Sequence, residues 1–225
     1  GYAWTAAPED APPDAAEITI GFSGGVPVTL DGASLGAVDM VEQLNWIAGA
    51  HGVGRIDHVE DRLVGIKSRE IYEAPAAVTL HAAHRALEGL TLSKEQLRFG
   101  RLVRNEIAQA IYDGLWYSAL QADLRSYVGT AQQNVTGDVR VRLQRGTASV
   151  VGRRSPNSLY DRSLATYDTG DQFDHASAVG FIAIWGLPLR TESARAAALG
   201  ARSALAEPLL DRLAVEVTDG SLSRR

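Results

Sequence analysis

Ser23-Gly24-Gly25 lies between two β-patterned stretches, "EITIGF" and "VPVTL". A Ser-Gly-Gly turn after a strand can hold phosphate when consecutive backbone N–H groups converge on the anion and a helix N-terminus stands behind them. Loops of that kind continue with Asp and then Ser or Thr. Here Val26, Pro27 and Val28 follow, Pro27 has no N–H to offer, and the next signals are a strand and an Asp31-Gly32 turn. The Gly24-Gly25 pair is therefore expected to bend one short strand into another rather than to bind ATP. His81 and His84, three apart in "TLHAAHRALE", could turn two imidazoles toward a metal. They lack both the adjacent Glu and the i,i+4 spacing of a zinc protease, so no metal site is expected. Asp57, Glu60 and Asp61 could gather around a divalent cation but read by default as a solvated charged face. Arg140, Arg142, Arg145, Arg153 and Arg154 alternate with valines without interleaved aromatics for base stacking, which makes them the outward face of a hairpin. Ser155-Pro156 and Tyr160-Asp161 read as turn chemistry.

The elements that must position these groups follow from periodicity. Val38, Val41, Leu44 and Ala48 recur at helical spacing, flanked by Met40 and Ile47, until Gly52 stops the run. From Val53 to Tyr72 a charged stretch punctuated by isoleucines and valines predicts irregular strands with a bend near Gly65. Pro75 suits the first turn of a helix through Leu90. Ser93 with Gln96 forms a capping box that opens another helix from Lys94 to about Tyr112, and Asp113-Gly114 interrupts it. "SALQADLRSYVGTAQQ" predicts a further helix, and Val139, Val141 and Leu143 alternate before a Gly146 turn and a second strand. A last apolar helix covers "DHASAVGFIAIWGL", and an Ala/Arg-rich segment from Ser193 carries only a thin apolar stripe. This order of elements implies an α+β fold, with helices and mostly antiparallel strands in one domain and a helical C-terminal arm.

Composition narrows the possibilities further. The 225 residues include 45% hydrophobic side chains, enough for an ordinary core. A net charge of −5 and a pI near 5.5 argue against non-specific attraction to nucleic acid or to acidic membranes. The absence of cysteine removes disulfide frameworks, thiolate metal sites and cysteine nucleophiles, and suits a cytoplasmic location. No apolar run approaches the ~20 residues of a membrane span, and no secretory signal is recognisable. Residues 1–16 hold three prolines with little periodicity and read as a linker entered in mid-protein.

Five blocks carry a resemblance: "GVGRIDHVEDRLVGIKSREIYEAP" (52–75), "YDGLWYSAL" (112–120), "VTGDVRVRL" (135–143), "VVGRRSPNSLYDRSLATYD" (150–168) and "GFIAIWGLP" (180–188). In this order, with matches running from Trp4-Thr5 to Pro188, they resemble the argininosuccinate synthase family. The resemblance implies that residues 17–190 correspond to the C-terminal catalytic and oligomerisation domain, followed by a tail over 191–225. It places the family's Ser-Gly-Gly-Leu-Asp-Thr-Ser phosphate loop in an N-terminal domain not contained here. That family joins citrulline to aspartate. The ureido oxygen attacks the α-phosphorus of ATP, and the aspartate amine then displaces AMP. ATP with Mg2+ is thus expected to bind mainly outside this chain, citrulline and aspartate are the implied substrates, and a homotetramer is the implied assembly.

Residue by residue, the family's citrulline contacts carry over to Glu60 in "VED" and Tyr72 in "IYE". Glu60 would pair with the substrate α-ammonium and Tyr72 would fix orientation through its hydroxyl. The bland alternative is that Glu60 pairs with Arg62 or Arg69. The twelve residues between the two would span roughly 40 Å on one strand or roughly 18 Å on one helix, so the chain has to fold back, with Gly65 the expected place. Asp61, Glu70 and Ala74 depart from the commoner Asn, Gly and Thr and flank the two positions without replacing either. No catalytic residue is assigned. The alternative function is a non-catalytic assembly module without ligase activity of its own.

Overall fold

The computed structural model describes residues 2–165 and 174–198. Two strands, β1 (Ala16–Ser23) and β2 (Val26–Leu30), are joined by Gly24 and Gly25, both at positive φ (56° and 81°) as a tight hairpin turn demands. The short β3 (Ala33–Ser34) follows an Asp31-Gly32 turn, and α1 (Ala37–Ala50) comes next. Then come β4 (Arg55–Asp61) and β5 (Lys67–Glu73), α2 (Pro75–Thr91), α3 (Lys94–Tyr112) and α4 (Ala119–Ala131). A 3-10 turn (Gln132–Asn134) leads into the hairpin of β6 (Gly137–Gln144) and β7 (Thr147–Arg154). The short α5 (Arg162–Ala165) is followed by α6 (His175–Trp185) and α7 (Leu187–Ala198). The fold class is α+β. The chain divides into two compact units, one up to Arg162 and one from Ser163.

The first unit is organised by a five-stranded antiparallel sheet in the order β3-β2-β1-β6-β7. Register pairs Ile18 with Val141 and Ile20 with Val139, so one face collects Ile18, Ile20, Phe22, Val139, Val141 and Leu143, all buried. Met40, Leu44 and Ala48 of α1 and Ala83 and Leu87 of α2 close that face into one core. The other face is wet, as an antiparallel sheet allows. There Glu17 receives Arg142 at 2.6 Å and Arg140 at 3.6 Å, and Asp138 receives Arg154 at 2.9 Å. Arg140, Arg142 and Arg154 thus spend their charge on the sheet's own carboxylates, while Arg153 donates to the Ala86 carbonyl.

Several local expectations are met. Pro75 opens α2, and Ser93 and Gln96 exchange hydrogen bonds of 3.2 and 3.0 Å at the start of α3. Three details differ. The buried stripe of α1 is Met40, Leu44 and Ala48, whereas Val38 and Val41 are 69% and 42% exposed. The expected irregular strands are a regular antiparallel ribbon from Arg55↔Glu73 to Asp61↔Lys67. The last helix among the described residues begins at Leu187 and takes Pro188 into its first turn, where a missing N–H costs nothing, rather than starting near Ser193. Residues 199–225 of the expected arm lie outside the described residues.

Candidate functional site

The β4–β5 ribbon stands apart from the main sheet and carries the candidate residues. Its turn is closed by Arg62 N–H to the Ile66 carbonyl at 2.8 Å and Gly65 N–H to the Arg62 carbonyl at 2.6 Å. Gly65 sits at φ 80°, which a glycine accepts without strain. The fold-back near Gly65 is present, and it sets Glu60 opposite Ser68 and Ile56 opposite Tyr72. Residues two apart on a strand share a face. One face therefore holds Ile56, His58 and Glu60 with Ser68, Glu70 and Tyr72, and the other holds Asp57, Val59 and Asp61 with Lys67, Arg69 and Ile71.

Glu60 and Tyr72 thus share a face, and His58 stands between them. The His58 ring meets the Tyr72 ring edge-on at 5.6 Å, and its Nε2 lies 3.4 Å from Glu60 Oε2. From α3, the Tyr112 hydroxyl donates to Glu60 Oε1 at 3.2 Å. Glu60, Tyr112, Asn105 and Gln109 line an open cleft of roughly 660 Å3, with Tyr72 beyond His58 along the ribbon. Partial desolvation and then the Glu60 carboxylate hold both the Tyr72 and the Tyr112 phenols above their ordinary value, so both remain neutral donors.

The cations that could have neutralised Glu60 are engaged elsewhere. Arg62 pairs with Glu70 at 2.8 Å and Arg69 with Asp57 at 2.6 Å. Among the described residues, no Arg or Lys lies within ion-pair distance of Glu60. Strand alternation sends Asp57 and Asp61 to the opposite face, where Arg69 and Lys67 take them, which dismantles the possible three-carboxylate cation site. No group of three His, Asp or Glu side chains suited to a metal occurs among the described residues. His84 bonds Gln132 at 2.9 Å, while burial and the neighbouring Arg85 lower the His81 pKa.

Gly24 N–H donates to Thr136 Oγ1 at 2.9 Å and Gly25 N–H to the Val135 carbonyl at 2.7 Å. A Cβ on Gly25 would meet Gln132 Oε1 at 2.4 Å. The Ser-Gly-Gly turn is therefore filled by the protein's own groups, and its donors do not fit a phosphate. Sequence reasoning missed two members of the ribbon cluster. His58 could have been found by its two-residue offset from Glu60, whereas Tyr112 approaches from a helix 52 residues on and left no local signal.

Fold and ribbon together define an α+β domain with one open wall on which a carboxylate stands among phenols. The family model described as Arginosuccinate synthase C-terminal domain matches residues 1–192. The chain is 55% identical over 193 residues to argininosuccinate synthase of Dehalococcoides mccartyi, covering 85% of this chain and 47% of that protein. It is 57% identical over 189 residues to the Gloeobacter violaceus argininosuccinate synthase, covering 84% and 48% respectively. For the Oceanobacillus iheyensis argininosuccinate synthase the identity is 54% over 193 residues, covering 86% and 46%. The chain belongs to the argininosuccinate synthase family, and it spans about half the length of the curated relatives it matches.

Proposed function

We propose that this chain supplies the citrulline contacts and an assembly surface of an argininosuccinate synthase. That enzyme is a cytoplasmic ligase of arginine biosynthesis that joins citrulline and aspartate with ATP to give argininosuccinate, AMP and pyrophosphate. The observation that carries this reading is the pairing pattern on the ribbon. Arg62, Lys67 and Arg69 are each committed to another carboxylate, so beside the His58 imidazole no Arg or Lys among the described residues occupies Glu60, which is left open to an incoming cation. The citrulline α-ammonium is such a cation, and a charge-assisted hydrogen bond to it is stronger than a neutral one. Tyr112 orients the carboxylate, and the neutral Tyr72 phenol donates to the substrate.

The Ser-Gly-Gly turn does not fit a nucleotide, which supports the reading that ATP with Mg2+ is bound mainly by residues outside this chain. On this reading the 225-residue chain alone does not release pyrophosphate from ATP in the presence of both amino acids.

An assembly role is supported separately by α6. Val179, Phe181, Ile182, Ile184 and Trp185 are each 60–72% exposed and lie on all sides of the helix. A helix apolar all round is normally buried, and a homotetramer would bury it.

Citrulline titrations of the intact enzyme test the substrate role. Glu60→Ala is expected to weaken binding by about 2–5 kcal/mol and Tyr72→Phe by about 0.5–1.5 kcal/mol, with ATP affinity unchanged. An unchanged citrulline dissociation constant in Glu60→Ala would leave assembly as the function of this chain.

A further inference from the structure

Helix α3 separates the Glu60 cleft from a second cavity. Asn105, Gln109 and Tyr112 face the cleft, whereas Leu97, Arg104, Ile107 and Ile111 recur at helical spacing along the wall of a cavity of roughly 540 Å3 shared with α2 and α4. This volume is in the range of small-molecule sites. Its apolar walls include Leu97, Ile107 and Trp116, and its polar groups converge from three elements.

Gln121 of α4 lines this cavity. Its side chain is fully buried, and neither Nε2 nor Oε1 has a hydrogen-bond partner among the described residues. A buried amide left unpaired is destabilising, and native proteins rarely keep one without an occupant to pair it. Glu88, Arg104 and Gln132 in the same lining are already balanced. Glu88, 3% exposed, receives Arg104 Nη1 on its two oxygens at 3.1 and 2.9 Å and Gln132 Nε2 at 2.7 Å. Gln132 is in turn held by His84 at 2.9 Å. The cation left over is Arg125, one helical turn after Gln121. Its guanidinium lies 5.0 Å from the Trp116 ring centre, and it has no carboxylate partner among the described residues.

We propose that this cavity binds a small organic monocarboxylate with an uncharged hydrogen-bond donor on the adjacent carbon and an apolar body, as in a branched 2-hydroxy acid. Residues four apart on a helix are neighbours, so Arg125 and Gln121 Nε2 take the carboxylate together. Gln121 Oε1 accepts from the adjacent hydroxyl, and Leu97, Ile107 and Trp116 cover the body. An ammonium in the hydroxyl's place would be opposed by Arg125 and by the Arg104 that already neutralises Glu88, which selects against free amino acids.

Calorimetric titration of the intact protein with 2-hydroxy-4-methylpentanoate, 4-methylpentanoate and L-leucine tests the site. The hydroxy acid is expected to bind saturably and more tightly than the other two. Gln121→Leu is expected to weaken it at least about tenfold while raising the melting temperature of the unliganded protein, because the unpaired amide is gone. Arg125→Ala, a change on an exposed side chain, weakens binding without loss of fold, and Glu60→Ala leaves it unchanged, which separates this site from the ribbon cleft. Three results would overturn the proposal: no saturable binding of the hydroxy acid, equal binding in Arg125→Ala and the unmutated protein, or a lowered melting temperature in Gln121→Leu.

Discussion

Glu73, next to Tyr72 on β5, gathers four donors from the start of the chain: the Thr5 hydroxyl at 2.6 Å and the backbone N–H groups of Ala3, Trp4 and Thr5 at 2.7, 3.0 and 2.8 Å. The hydroxyl first, and then the backbone donors against partial desolvation, lower its pKa from 4.5 to about 2. A carboxylate depressed in the folded state contributes stability that is complete above its unfolded pKa and disappears as pH falls through the folded value. Glu73→Gln is therefore expected to be less stable than the unmutated protein at neutral pH, with the difference closing between about pH 4.5 and 2. Urea unfolding across that range measures it, and a difference independent of pH would contradict the assignment. Tyr112 makes a second prediction at this scale. Tyr112→Phe removes the hydrogen bond to Glu60 and should cost citrulline affinity about 0.5–1.5 kcal/mol, while shifting stability by less than about 0.5 kcal/mol because the ring is at the surface. Titration and denaturation of the same variant check both halves.

Helix α1 shows how an element is chosen by its surroundings. Two apolar stripes run along it, and helical spacing alone allows either Val38-Val41 or Met40-Leu44 to face inward. The sheet and α2 select the second, leaving Leu44 fully buried. Leu44→Ala is expected to cost about 2–5 kcal/mol and Val41→Ala less than about 1 kcal/mol, measured by denaturant unfolding. Signals confined to a few residues were legible in the sequence for a physical reason: Pro75 at a helix start needs no N–H partner, the Ser93–Gln96 box satisfies its hydrogen bonds locally, and the positive φ of Gly24 and Gly25 sets their turn by itself. The stripe of α1 and the partners of Glu60 were not, because each depends on atoms brought in by another element. The fold-back that joins Glu60 to Tyr72 was legible from reach alone, since no single strand or helix lets both touch one amino acid.

At the scale of the whole molecule, α6 exposes Ile182 at 67% with apolar neighbours on every side. Ile182→Glu should shift the protein toward smaller species in light scattering, because burying a charge in place of an isoleucine opposes association. On the ribbon's Glu60 face Glu60, Ser68 and Glu70 are half-buried, whereas Asp57, Val59 and Arg69 of the opposite face are exposed, and the central claim is that the Glu60 face reads the α-ammonium of citrulline. The most direct measurement is a calorimetric titration of the intact enzyme and its Glu60→Ala variant with citrulline and with 5-ureidopentanoate, which keeps the ureido and carboxylate groups but lacks the ammonium. The account predicts that the substitution weakens citrulline by about 2–5 kcal/mol and leaves the analogue unchanged. An equal loss for both ligands, or no loss for citrulline, would contradict it.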